Sequence, residues 1–314
     1  MNRYTSLISL FCIPLFLISC SKSNPVCNQE DPIEADVVKS VSFIVPNFKI
    51  IDGIETKTQI GPNSSFQWSE NDTVGIYPNS GSQVYFAMTE GAGASSAEFD
   101  GGGWDFKPSA VYYSYYPFIG DIYLKRDHIP VSYLGQKQIG TSSTSHIGPF
   151  DFMYTGATSS ASGKLNFSYH HLSTLLTIKA TLPAGTYTKL AVTAPSEVFT
   201  TTGYFSLLSS SPAVVSTGHS NQIVVDLEGI TLTEQSMFMV YLLLAPVDVH
   251  GVELTISVLN SQKKEYQQKK TTSYVYEAGN QYTFNCAAFT EVPQSMGLIV
   301  GDWDDGGTIG GDAE

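Results

Sequence analysis

The sequence predicts an all-β protein: two β-sandwich domains in tandem, preceded by a signal and a tether. Three observations carry that expectation. The composition favours strands, with 18 Tyr and 17 Phe but only 14% charged residues, whereas helix-rich chains hold more Glu, Lys, Arg and Ala. Apolar residues recur with a period of two from residue 37 onward, the mark of half-buried strands. No segment carries an apolar helical stripe over three turns. The 314 residues suit two domains, and 42% hydrophobic residues can fill a sizeable core.

The chain opens with Arg3 and a free amine, followed by an apolar run from Leu7 to Ile18 that is too short to span a membrane. Leu17-Ile18-Ser19-Cys20 then resembles a bacterial lipobox. Residues 1–19 read as a lipoprotein signal peptide, and Cys20 as the residue that is lipidated after cleavage. Several acyl chains on one cysteine anchor stably where a single chain is marginal. Residues 20–36 lack periodicity and hold two prolines, so they read as a flexible tether.

Strand signals begin at Val41, Phe43 and Val45, which alternate with Ser42 and Ile44. The same alternation returns at Leu176–Leu182, Ile223–Leu227, Leu254–Val258 and Tyr282–Cys286. Phe238–Ala245 is apolar at every position, as a central strand covered on both faces would be. Turn signals such as Asp52-Gly53, Gly61-Pro62 and Gly101-Gly102-Gly103 separate the runs. A small-residue stretch at 156–163 marks a boundary, giving an N-terminal domain at 37–160 and a C-terminal domain at 161–290. The tail, 291–314, holds six acidic residues and no basic one.

Charge and motifs narrow the function. A net charge of −13, with Arg3 and Arg126 the only arginines, is a poor match for nucleic acid. The sequence has no His-Glu-x-x-His, no Cys-x-x-Cys, no phosphate-cradling glycine loop and no Gly-x-Ser-x-Gly elbow, so no enzyme activity and no cofactor are expected. His170 and His171 are adjacent and face opposite sides of a strand, which prevents joint metal binding; an imidazole satisfied by the backbone is the simpler role. The aspartates of the tail lack the spacing of a calcium loop and read as solvated, so no metal site is expected. The aromatic run Tyr112–Phe118 reads as core packing, with a sugar-stacking surface as the alternative. Lys263–Lys270 reads as a solvated hairpin tip. Cys27 and Cys286 are free to pair in an oxidising compartment, but Cys286 falls on the apolar phase of its strand and suits a small buried hydrophobe.

Several segments occur in an order similar to that of fimbrillins, subunits of surface pili. They are Phe66-Gln67-Trp68 through Gly75-Ile76-Tyr77, then Tyr112–Pro117, Gln136-Lys137-Gln138, Asp151-Phe152-Met153, Leu165–Leu172 and Gly279–Phe284, closed by Asp302-Trp303-Asp304-Asp305-Gly306. The resemblance implies transthyretin-like sandwiches, outer-membrane attachment at the cell surface, and assembly with other pilus subunits by strand addition. It further implies that an N-terminal strand, here with Val41, Phe43 and Val45 as its inward set, is removed by a protease. Arginine-directed cutting has no target between Cys20 and Arg126, which leaves Lys49 and Lys57 as the basic residues near the cut. The donor strand would come from the tail, where Met296, Leu298 and Val300 alternate with Gly297 and Ile299. A host or bacterial surface glycan or protein is the adhesive partner expected. The alternative is a surface glycan-binding lipoprotein of a polysaccharide uptake system.

Overall fold

The computed structural model describes residues 40–45, 48–50, 67–103, 106–107, 110–121, 123–159 and 165–293. The first half contributes β1 (Ser40–Ile44), β2 (Lys49–Ile50), β3 (Thr73–Pro78), β4 (Val84–Glu90), β5 (Ser96–Asp100), β6 (Val111–Tyr116), β7 (Ile129–Ser132), β8 (Gln136–Ile139) and β9 (Met153–Ser159). β10 (Leu165–Ser168) and β11 (His170–His171) follow. The second half contributes β12 (Thr174–Leu182), β13 (Gly185–Thr193), β14 (Phe199–Phe205), β15 (Val215–Ser220), β16 (Gln222–Leu232), β17 (Ser236–Leu244) and β18 (Val247–Asp248). It ends with β19 (Glu253–Asn260), β20 (Glu265–Thr271), β21 (Val275–Tyr276), β22 (Asn280–Cys286) and β23 (Thr290–Glu291). The all-β expectation holds.

Eight strands form the first sheet in the order β10-β1-β5-β4-β3-β6-β9-β11. Its two edges are neighbours in sequence: β10 pairs with β1, and after Tyr169 alone β11 pairs with β9. The sheet is therefore rolled, with one short stretch of chain stitching both rims. Inside lies a cluster that includes Val41, Phe43, Trp68, Phe86, Phe99, Tyr116 and Phe167.

The second half is a sandwich. One layer is β17-β12-β22-β2 and the other is β23-β20-β19-β13-β16-β8. Alternate residues of both layers, such as Leu176 and Ile178 of β12 and Leu190 and Val192 of β13, share one core. A third cluster joins the outer faces of the two halves and includes Tyr77, Tyr115, Leu175, Tyr241 and Leu243.

This third cluster explains the sequence of β17. Phe238, Val240, Leu242 and Leu244 enter the sandwich core, while Met239, Tyr241, Leu243 and Ala245 enter the joining cluster. The run is covered on both faces, as expected, yet β17 ends its sheet instead of lying centrally. The same division accounts for the tyrosines of β6: Tyr112 and Tyr116 point into the first core and Tyr115 into the joining one.

Strand pairing crosses residue 160 in both directions. β10 and β11 complete the first sheet, whereas β7 pairs with β14 and β8 pairs with β16. The described residues of both halves belong to one compact unit.

A strand at the end of a buried sheet leaves backbone groups that must find partners. On β17 two glutamine side chains supply them. Gln136 donates to the carbonyl of Leu243 at 2.7 Å and accepts the N–H of Leu243 at 2.8 Å. Gln138 donates to the carbonyl of Met239 at 2.7 Å and accepts the N–H of Tyr241 at 2.9 Å. His146 Nε2–H donates to the remaining Tyr241 carbonyl at 2.9 Å; burial holds this imidazole below its ordinary pKa. β8 thus adds its backbone to one layer and its side-chain amides to the other. Each glutamine leaves two buried backbone groups unsatisfied when removed, at about 1–3 kcal/mol apiece. Gln138→Ala is accordingly expected to lower unfolding free energy by about 2–5 kcal/mol, read from the urea midpoint at unchanged slope.

Candidate assembly site

β1 is a strand inserted between two others. It runs antiparallel to β5, with Phe43 opposite Ala97 and Ile44 opposite Ser96, and parallel to β10, with Phe43 opposite Phe167. Val41, Phe43 and Val45 are buried, at 0%, 0% and 2% exposure, while Ile44 is 48% exposed. The structure therefore gathers the three apolar residues on one inward face. Phe43 sits at the centre of an aromatic cage, its ring centroid 4.8 Å from Phe99, 4.9 Å from Phe167 and 5.3 Å from Tyr169.

The N-terminal segment then crosses to the other half. Phe48 is buried and stacks on His171 at 4.0 Å between centroids. Lys49 donates its N–H to the Gly279 carbonyl at 2.7 Å, and β2 pairs in parallel with β22. Gly279 turns at a φ of 72°, in the left-handed region that glycine adopts without strain. One stretch, 40–50, thus completes a strand in each half. Full burial of each large apolar side chain contributes about 1.5–3 kcal/mol, so Val41, Phe43, Val45 and Phe48 together contribute roughly 6–12 kcal/mol. A loss of that size is tolerable only when another strand takes the place.

His171 Nδ1 lies 2.9 Å from Asp151 Oδ1, and both side chains are buried. Burial pushes the Asp151 carboxyl up, and His171 beside it pulls the other way. The adjacent histidines do face opposite sides, His170 out and His171 in, but the partner of His171 is a carboxylate, where a backbone group was expected. Beside Phe48 opens a cleft of about 650 Å³, lined by Trp68, Asp72, Tyr116, Ile147 and Pro149. Asp72 accepts the Ser69 N–H at 2.7 Å and the Tyr116 hydroxyl at 2.9 Å; burial raises its pKa.

Lys49 is exposed but lies within β2. Cys20, Lys57, Met296, Leu298 and Val300 lie outside the described residues. The tail leaves from the rim of the six-stranded layer, where β23 pairs with β20 and Lys264 meets Glu291 at 3.0 Å. Lys263 and Lys264 do occupy the β19–β20 turn. Cys286 is buried in the sandwich core, unpaired among the described residues, and burial pushes its thiol up to about 11; Cys27 lies outside the described residues. Tyr112, Tyr115 and Tyr116 are buried and form no exposed platform. Phe48, Asp151 and the glutamine pair were not singled out as functional by the sequence. Phe48 falls three residues after Val45 and so breaks the two-residue period that marked the others.

A family model described as fimbrillin-like matches residues 56–303. None of the curated proteins compared with the chain matches it. Among solved structures, one from Bacteroides ovatus assigned to cell adhesion is similar at 15% identity and a TM-score of 0.51, over 81% of this chain and 96% of that one. Another from Bacteroides uniformis, also assigned to cell adhesion, gives 16% identity and a TM-score of 0.50 over 70% and 87%. The fimbrial anchor protein Mfa2 from Porphyromonas gingivalis gives 11% identity and a TM-score of 0.37 over 81% and 95%. With the family match covering most of its length, the chain belongs to the fimbrillin-like family.

Proposed function

We propose that this pilus subunit polymerises at the bacterial surface by exchanging β1 for a strand from a neighbour. The carrying observation is the insertion of β1 between β5 and β10 with its apolar residues inward. Loss of β1 exposes two facing rims of N–H and C=O groups, on β5 and on β10, above an apolar trough, the arrangement to which an extended segment binds. The donor is the tail, through Met296, Leu298 and Val300. The precursor is a lipoprotein held at the outer membrane through Cys20, and cutting after Lys49 or Lys57 frees everything up to and including Phe48. Its partners are other pilus subunits, with adhesion to host or bacterial surface molecules as the outcome of assembly.

N-terminal sequencing of subunits recovered from filaments tests this reading. The expected first residue is Ile50 or Thr58. Filament subunits that still begin at Cys20 would retain β1 and reject strand exchange.

A further inference from the structure

The buried positions of the N-terminal segment are Val41, Phe43, Val45 and Phe48. Their steps are two, two and three residues. In the tail, Met296, Leu298, Val300 and Trp303 follow the same steps in the same order. Resting on strand exchange as the mode of assembly, we infer that the tail of a second copy binds in one register: Met296 for Val41, Leu298 for Phe43, Val300 for Val45, and Trp303 for Phe48 against His171.

The three-residue step fixes both direction and register. An incoming strand of opposite direction would bring that step to the wrong end of the trough. The tail must therefore run as β1 does, parallel to β10 and antiparallel to β5. A slip of one residue turns every apolar side chain to solvent. A slip of two residues moves Val300 and Trp303 off the positions of Val45 and Phe48, so only the unslipped register matches all four buried positions. The irregular step arises because the segment leaves the first sheet after Val45 and reaches the second half at Phe48, so a strand that spans both halves must repeat it.

The seat also suits the larger residue. Indole exceeds phenyl in size, and the cleft of about 650 Å³ begins at Phe48 itself. Its walls include Trp68, Tyr116, Ile147 and Pro149, and buried aromatic anchors in such pockets dominate binding. The floor is the His171 ring, oriented by Asp151 at 2.9 Å. Trp303 is thus assigned as the anchor of the donor segment, and His171 as the residue that shapes its seat.

Cysteine pairs on the full chain test the register. Ile44 lies opposite Ser96, and both are exposed; Ile299 takes the place of Ile44. Directly opposed residues bring Cβ atoms to about 4.5–5.5 Å, close enough for a disulfide after a small adjustment. Filaments from the Ser96→Cys, Ile299→Cys variant are expected to run as a disulfide-linked ladder on a non-reducing gel. The Glu98→Cys, Ile299→Cys variant, displaced by two residues, is expected to stay monomeric on that gel. A ladder from the displaced pair would overturn the register and leave strand exchange standing. No ladder from either pair would overturn both. In the same assay Trp303→Ala should reduce filament yield at least tenfold and Trp303→Phe should largely restore it; equal yields from the two would remove Trp303 as anchor.

Discussion

Cells that express the chain truncated after Pro293 are expected to display no filaments, while the truncated protein folds and melts as the full chain does. The two halves of this expectation have separate causes. β23 ends at Glu291, and Val292 still donates its N–H to the Glu265 carbonyl at 2.8 Å. Truncation beyond that point removes none of the described backbone pairs or core residues, so stability has no reason to change. It does remove Met296, Leu298, Val300 and Trp303, which under the proposed exchange replace a contribution of roughly 6–12 kcal/mol in the acceptor trough. A difference of that size is four or more powers of ten in affinity, so the effect on assembly is complete loss instead of a partial decrease. Negative-stain electron microscopy and a thermal melt are the two measurements. Undiminished filaments would show that the polymer contact lies elsewhere.

Phe43→Ala is expected to destabilise the unprocessed precursor by about 3–5 kcal/mol while leaving the assembled filament unaffected. The cost in the precursor follows from the cage of Phe99, Phe167, Tyr169 and Trp68 around a ring with no exposure. Aromatic walls anchored in β5, in β10 and in the segments that hold Trp68 and Tyr169 cannot collapse together to fill the void, which places the loss at the upper part of the usual range. Under the proposed strand exchange, Phe43 is cut away in the filament and a neighbour's Leu298 fills the trough. Urea unfolding of the precursor and heat dissociation of purified filaments separate the two states. Equal losses in both would mean that β1 stays in place during assembly.

Much of this was legible in the sequence because side-chain alternation is a local signal. Val41, Phe43 and Val45 declare an inward face without reference to any partner, and their burial follows. The both-face apolar run at Phe238–Ala245 correctly implied two covering layers. What it concealed was the position of β17 at the end of its sheet, because covering by packing and covering by pairing leave the same hydrophobic trace. Gln136 and Gln138 seal that rim across a hundred residues of sequence, and a polar pair two apart looks like any solvent-facing alternation. The connectivity was hidden for a similar reason. A small-residue stretch at 156–163 resembles a domain linker, yet β10 and β11 beyond it close the first sheet, and β7 and β8 before it serve the second half. Phe48 escaped because its spacing belongs to the crossing between halves, which has no periodic signature.

The amides of Gln136 and Gln138 carry a consequence for the shape of anything built from this molecule. If the chain lends and borrows backbone as proposed, an open rim elsewhere would let it do so sideways, and sideways growth yields clumps instead of threads. By imitating peptide groups, two carboxamides occupy the valences of β17 permanently and cannot be traded away, since they hang from a strand locked into the facing layer. At these residues β17 offers an outside strand nothing to pair with, so under the proposed exchange this flank favours length over breadth.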